Sequence, residues 1–265
     1  MIKFRNVTFF YEPDYSFQSA ALKNINLSIK RNSVTLVLGS NGAGKSTFLL
    51  LASGLFQPTI GSVVINGYDT CKSHAKNIRK LVGIAFQRPE SYFFCETVEE
   101  EVCYAAKKFG LDNIHERFNK MMQALGLKAE RIKNLSPFSL SGGEARRVAI
   151  GGSIIHNPDV ILLDEPTVSL DIEGILHIRK LLIRLKAEGK TIIISTHWPE
   201  YFLDIASDII GFNEGQQYFH GSVEEFLKKP TKWYEMLGLY IEEDLYQIRE
   251  HFLKAGIIRP FEPVG

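Results

Sequence analysis

Cysteine is scarce in this chain. The three in 265 residues, Cys71, Cys95 and Cys103, form no C-x-x-C couple. That excludes a disulfide-stapled secreted framework and a cysteine metal knuckle, and it suits thiols held reduced. An excess of charge of one sign is also missing. With 31 basic against 30 acidic residues, no basic field marks a nucleic-acid surface and no acidic tail a solvating arm, so no nucleic-acid partner is expected. Long apolar runs are lacking too: the longest charge-free stretch, residues 46–68, is interrupted by Gly54, Gln57, Pro58, Thr59 and Gly61, which rules out one spanning helix. The start carries Lys3 and Arg5 with no apolar run behind them, unlike a signal or transit sequence. Repeats and low-complexity tracts are absent. What remains is a soluble or peripheral chain, 45% hydrophobic and 23% charged, long enough for one large domain with subdomains.

Hydrophobic patterning supplies the fold class. Residues 2–11 and 21–29 read as strands, the second alternating as a half-buried antiparallel piece would, and residues 61–67 read as part of a hairpin. Three other runs, residues 34–38, 160–163 and 191–194, are continuously apolar, the pattern of strands buried on both faces. Helical stretches separate them, which predicts a parallel α/β sheet. Between the first and second of these strands, residues 87–156 are helical in pattern and suggest an inserted helical subdomain. Beyond residue 215 follow two helix candidates, residues 223–229 and 242–255, with a break at Leu237, Gly238 and Leu239.

Each buried run ends in polar residues, and open parallel sheets bind ligands at the carboxyl ends of their strands. The first is followed by Gly39, Ser40, Asn41, Gly42, Ala43, Gly44, Lys45, Ser46 and Thr47, which fit G-x-x-x-x-G-K-[ST] between a strand and a helix. Glycines there let successive N–H groups turn onto phosphate oxygens while the new helix points its positive end the same way. Lys45 would offset β- and γ-phosphate charge, and the Ser46 hydroxyl would ligate Mg²⁺. The second run ends in Asp164 and Glu165, the first suited to hold the metal and the second to polarise an attacking water. The third ends in Ser195, Thr196 and His197, whose imidazole would reach the γ-phosphate. Gln87 closes a further strand-like run, and its amide would bind both Mg²⁺ and the water. A second glycine motif, Leu140, Ser141, Gly142, Gly143 and Glu144, stands at a helix N-terminus and forms another anion site. Two such sites in separate subdomains cannot easily wrap one γ-phosphate. A head-to-tail dimer, each subunit completing the other's ATP site, is the economical solution.

In order and spacing these residues, with Ser169, Leu170 and Asp171, resemble the ABC ATPase cassette over about residues 1–215. The resemblance implies a P-loop NTPase fold: a nucleotide-binding core with an N-terminal antiparallel β subdomain (1–86 and 157–215), a helical signature subdomain (87–156) and a short C-terminal helical extension (216–265). It implies ATP and Mg²⁺ as cofactors. Lys45, Gln87, Glu165 and His197 would be the catalytic residues, and Ser46, Gln87 and Asp164 the metal ligands. The loop 39–47, Gln87, Ser141, Gly142, Gly143 and Asp171 would contact nucleotide. It also implies an aromatic on adenine, for which Tyr11 is preferred while Phe9 and Phe10 compete.

Within the family the chain is similar to the energy-coupling-factor ATPases, through the stretch 86–102, Arg146 to Gly151 after the signature, and the Leu237-Gly238-Leu239 break. That implies uptake of a vitamin or of nickel or cobalt ions at the cytoplasmic face of the cell membrane. The partners would be a second ABC ATPase subunit, alike or unlike, a transmembrane coupling subunit and a substrate-binding membrane subunit. Tyr92, Phe93 and Phe94 are the expected docking surface. Arg88, Ser91, Tyr92, Val168 and Ser169 depart from the family pattern, which bears on the partner and not on catalysis. Soluble ABC proteins acting on ribosomes or DNA are the competing class. They carry paired cassettes or long coiled-coil inserts, and neither is found here.

Overall fold

The computed structural model describes residues 1–12, 19–72 and 74–239. The chain opens with β1 (Ile2–Phe9), β2 (Leu22–Ile29), β3 (Val34–Leu38), α1 (Lys45–Ala52), β4 (Ile60–Ile65), β5 (Tyr68–Asp69), α2 (Ala75–Leu81) and β6 (Val82–Ala85). A helical stretch follows, α3 (Val98–Lys108), α4 (Ile114–Ala124), α5 (Ala129–Ile132) and α6 (Gly142–Ile154). Then come β7 (Val160–Asp164), α7 (Ile172–Ala187), β8 (Thr191–Ser195), β9 (Asp208–Asn213), β10 (Gln216–Ser222), α8 (Val223–Leu227) and α9 (Thr231–Met236).

Two sheets result. One is antiparallel in the order β2-β1-β4-β5; the other runs β10-β9-β3-β8-β7-β6 and is parallel except for β10 at its edge. The three continuous apolar runs are the central strands β3, β8 and β7, every residue of which is buried. Their side chains divide with period two. Leu36, Leu38, Ile161, Leu163, Ile192 and Ile194 join the core beneath α3, α4, α6 and α7. Val37, Val160, Leu162 and Ile193 face the core shared with α1 and the antiparallel sheet. Residues that pack on both sides leave no polar alternation to read, which is why these strands appear in sequence as unbroken apolar runs.

Three helices start on reciprocal capping boxes, Thr97 with Glu100 at α3, Ser141 with Glu144 at α6 and Ser222 with Glu225 at α8, each satisfying two otherwise orphaned N–H groups. The first strand stops at Phe9, short of Tyr11. The sheet runs past residue 215: Glu214 (φ 48) and Gly215 (φ 76) make a two-residue turn that folds β10 back on β9, the left-handed pair such hairpins need. The helix expected at 223–229 is α8, and the one expected at 242–255 lies outside the described residues. The aromatic triplet divides. Phe93 is only 9% exposed and belongs to the core, whereas Tyr92 and Phe94 are 54% and 62% exposed. Phe93 is therefore corrected from docking residue to packing residue. Among the described residues no helix is long and apolar enough to cross a membrane.

Candidate active site

Strand order decides the site. Because β8 lies between β3 and β7, the polar residues after three strands distant in sequence emerge side by side at one sheet edge. The loop after β3 enters α1 through Gly44 at φ 107. Its fit against neighbouring backbone demands glycine: a Cβ would stand 2.5 Å from the Phe212 carbonyl oxygen at Gly39, and 2.8 Å from that of Ala21 at Gly44. Lys45 is buried, and its Nζ donates to the carbonyls of Gly39 (2.7 Å) and Ser40 (3.2 Å) and lies 3.1 Å from His197 Nε2. Desolvation lowers the lysine pKa, while Glu165 and Asp164 act in the opposite direction.

Asp164 ends β7 and receives two hydroxyls, Ser46 Oγ on Oδ2 at 2.8 Å and Ser195 Oγ on Oδ1 at 2.8 Å. Glu165 sits in a left-handed backbone conformation, φ 50, and is 3% exposed. Its N–H donates to the Ser195 carbonyl at 2.9 Å, and its Oε2 accepts from the His197 N–H at 3.2 Å. Burial pushes its pKa up to about 7, against the pull of Lys45 and the His197 N–H. Its other oxygen, Oε1, lies 3.3 Å from His197 Nε2 yet has no aligned hydrogen bond. The electrostatics explain this. Desolvation, with Lys45 beside it, lowers the His197 pKa, so the ring is neutral and its Nε2 lone pair accepts from the Lys45 ammonium. That nitrogen then has no proton for the carboxylate.

These groups line a cleft of about 330 Å³ together with Tyr11, Ala21, Ser40, Asn41, Gly42, Gly44, Ser46, Thr47 and Gln87. Gly39 and Ala43 stand behind the loop and do not line it. Gln87 is exposed at the rim, just after β6. Of the three N-terminal aromatics, Phe9 is core and Phe10 does not reach the cleft. Tyr11 is 55% exposed, and its hydroxyl is 2.8 Å from Thr47 Oγ1. Its ring meets Phe9 and Phe56 edge-on, at 5.1 and 5.9 Å between centroids.

Ser141, Gly142, Gly143 and Asp171 are not brought to this cleft. They form a second cluster. Ser141 caps α6 and is exposed, Asp171 caps α7 by accepting the Gly174 N–H at 2.8 Å, and a Cβ at Gly143 would stand 2.9 Å from the Ser169 carbonyl. The sequence reading did not single out three contributors. Ser195, fully buried against Asp164, is signalled only by a hydroxyl at the end of an isoleucine run. Ala21 lines the cleft from the start of β2. Arg146, 5% exposed, donates to the Phe86 carbonyl at 3.3 Å beside Gln87.

A glycine phosphate loop opening a helix, a strand-end Asp-Glu pair and a neighbouring histidine define a P-loop nucleotide hydrolase. The ABC transporter family model matches residues 22–168. The chain is 38% identical over 254 residues to the energy-coupling factor transporter ATP-binding protein EcfA2 of Clostridium perfringens, covering 94% of this chain and 89% of the relative. Its identity to EcfA2 of Thermotoga maritima is 39% over 225 residues, 84% of each. Among solved structures, the cassette MJ0796, a dimer in a post-hydrolysis state with ADP and Pi, superposes with TM-score 0.76 at 30% identity, covering 84% of this chain and 99% of that one. cbiO1 of Clostridium perfringens, described as part of the ABC transporter complex cbiONQ, gives TM-score 0.71 at 32% identity, over 86% and 90%. The chain belongs to the ABC transporter ATP-binding family, with relatives among the energy-coupling factor ATPases, and it is an ATPase subunit.

Proposed function

We propose that this chain is the motor of an energy-coupling-factor importer for a vitamin or for nickel or cobalt ions. It would work as one half of an ATPase dimer peripheral to the cytoplasmic face of the cell membrane. The observation that carries this reading is the separation of two anion sites within one chain: the phosphate loop lines the cleft, and the signature serine and glycines stand exposed outside it. A second ATPase subunit, alike or unlike, supplies the missing half, so nucleotide joins the pair and hydrolysis releases it. The named relatives, one described as part of a larger transporter complex, support membrane subunits as the further partners.

The residues present fit Mg²⁺. The Ser46 hydroxyl and Asp164 carboxylate, 2.8 Å apart, are hard oxygen donors, and this ion takes one or two carboxylates and leaves the rest of its shell to water and phosphate. Gln87 at the rim is the third donor. When bound, the ion neutralises phosphate charge. The chain's own residues do the rest. Lys45 is desolvated and aimed into the loop, where it exchanges carbonyls and His197 for β- and γ-phosphate oxygens. That frees the imidazole to turn its own N–H to the γ-phosphate. Glu165, with an unpartnered oxygen and a pKa near 7, holds and deprotonates the attacking water. Tyr11 stacks on adenine.

For docking, the exposed pair Phe94 and Tyr104, edge-on with centroids 4.8 Å apart, and Tyr92 border a groove of about 190 Å³ beside the strand that leads to Gln87. A Phe94→Ala, Tyr104→Ala double variant is expected to keep its ATP turnover and to stop co-purifying with a multispan membrane protein. Full retention of the complex would overturn the docking assignment.

A further inference from the structure

We infer that the end of α9 is a buttress of the phosphate loop and that Gly238 is a positioning residue of the nucleotide site. The helix closes in a Schellman cap: the Gly238 N–H donates to the Glu235 carbonyl and the Leu239 N–H to that of Tyr234, both at 2.9 Å, with Gly238 at φ 69. The cap is seated on the loop itself. A Cβ at Gly238 would stand 3.0 Å from both Cα and Cβ of Ser40 and 3.4 Å from its nitrogen, so main chain lies against main chain. The carbonyl of Ser40 accepts from Lys45 Nζ at 3.2 Å. A line of contact thus runs from the C-terminal segment through Ser40 to the cation of the nucleotide site.

The support behind this contact is packed. Leu237 is fully buried and Leu239 is 3% exposed. The Leu237 methyls fill the space over Gly211, standing 3.0 and 3.1 Å from where a Cβ there would be. The next residue, Phe212, offers the carbonyl that abuts Gly39. The loop is therefore gripped at Gly39 by β9 and at Ser40 by the cap, and Leu237 braces both. Phe219, Phe226 and Tyr234 continue the packing, with the Tyr234 hydroxyl donating to the Phe226 carbonyl at 2.9 Å. A glycine-rich loop loses much conformational freedom when its amides converge on phosphate. A brace that restricts it beforehand reduces that loss on binding. The segment beyond residue 215 is in this way part of the nucleotide site's scaffold.

The test is a double-mutant cycle on Mg²⁺-ADP affinity, read by titration calorimetry on the folded protein. Gly238→Ala is expected to weaken ADP about tenfold, because the new methyl displaces Ser40. In a Ser40→Gly background, which lacks the Cβ it meets, the loss is expected to shrink below about threefold. An equal loss in both backgrounds, or unchanged affinity in the first, overturns the inference. If Gly238→Ala does not fold, Gly238→Asn keeps the test open, since asparagine tolerates φ above zero and its Cβ meets the same atoms. ADP affinity equal to the parent's in that variant overturns it too.

Discussion

Replacing Glu165 by Gln should stabilise the nucleotide-free protein, and more strongly the higher the pH. The carboxyl is 3% exposed and its pKa is raised from the ordinary 4.5 to about 7, chiefly by desolvation. A group whose folded pKa exceeds its unfolded value binds more protons in the native state, so stability falls as pH rises between the two values. A rise from 4.5 to about 7 is worth roughly 3 kcal/mol once both states are ionised, at about 1.4 kcal/mol per pH unit. Of this, roughly 2.5 kcal/mol develops between pH 5 and pH 8. Glutamine has the same shape and does not titrate. The advantage of Glu165→Gln over the parent should therefore grow by roughly 2.5 kcal/mol from pH 5 to pH 8, or roughly 5–10 °C in midpoint for a chain of this size. Thermal unfolding in buffers free of Mg²⁺ and nucleotide, at the two pH values, reads it directly. An advantage of equal size at both would refute the claim that Glu165 is a buried acid carrying an uncompensated charge. The same variant is expected to bind ATP and lose turnover.

The two neighbouring phenylalanines should behave oppositely. Phe93→Ala removes a core ring and is expected to cost about 3–5 kcal/mol in denaturant unfolding, whereas Phe94→Ala, at a position 62% exposed, should change stability by less than about 0.5 kcal/mol. Tyr11→Ala is expected to weaken ATP binding by roughly tenfold, with Tyr11→Phe recovering most of it, because the ring face and not the Thr47 contact meets the base. Equal losses in calorimetry would assign the effect to the hydroxyl instead.

The site was readable where burial and chemistry coincide in short windows. β3, β7 and β8 are buried on both faces, so they stand out as apolar runs, and the polar residues that end them converge by the rule that parallel sheets bind at their carboxyl ends. Features made by distant contacts were not readable. β10 has too little alternation to announce a strand, and only the Glu214-Gly215 turn hints at it. Phe93 and Phe94 are indistinguishable in sequence because the chain between the turn at Pro89–Ser91 and α3 is irregular, so neither helical nor strand periodicity assigns a face. Ser195 and Gly238 owe their roles to partners 31 and roughly two hundred residues away, separations that leave no local pattern.

The central claim is that the cleft at the end of β3 is where ATP is hydrolysed, with Lys45 as its buried cation. Phosphate release by the native complex carrying Lys45→Ala tests it most directly. A fall of at least about a hundredfold is expected, and a rate equal to the parent's would contradict the account.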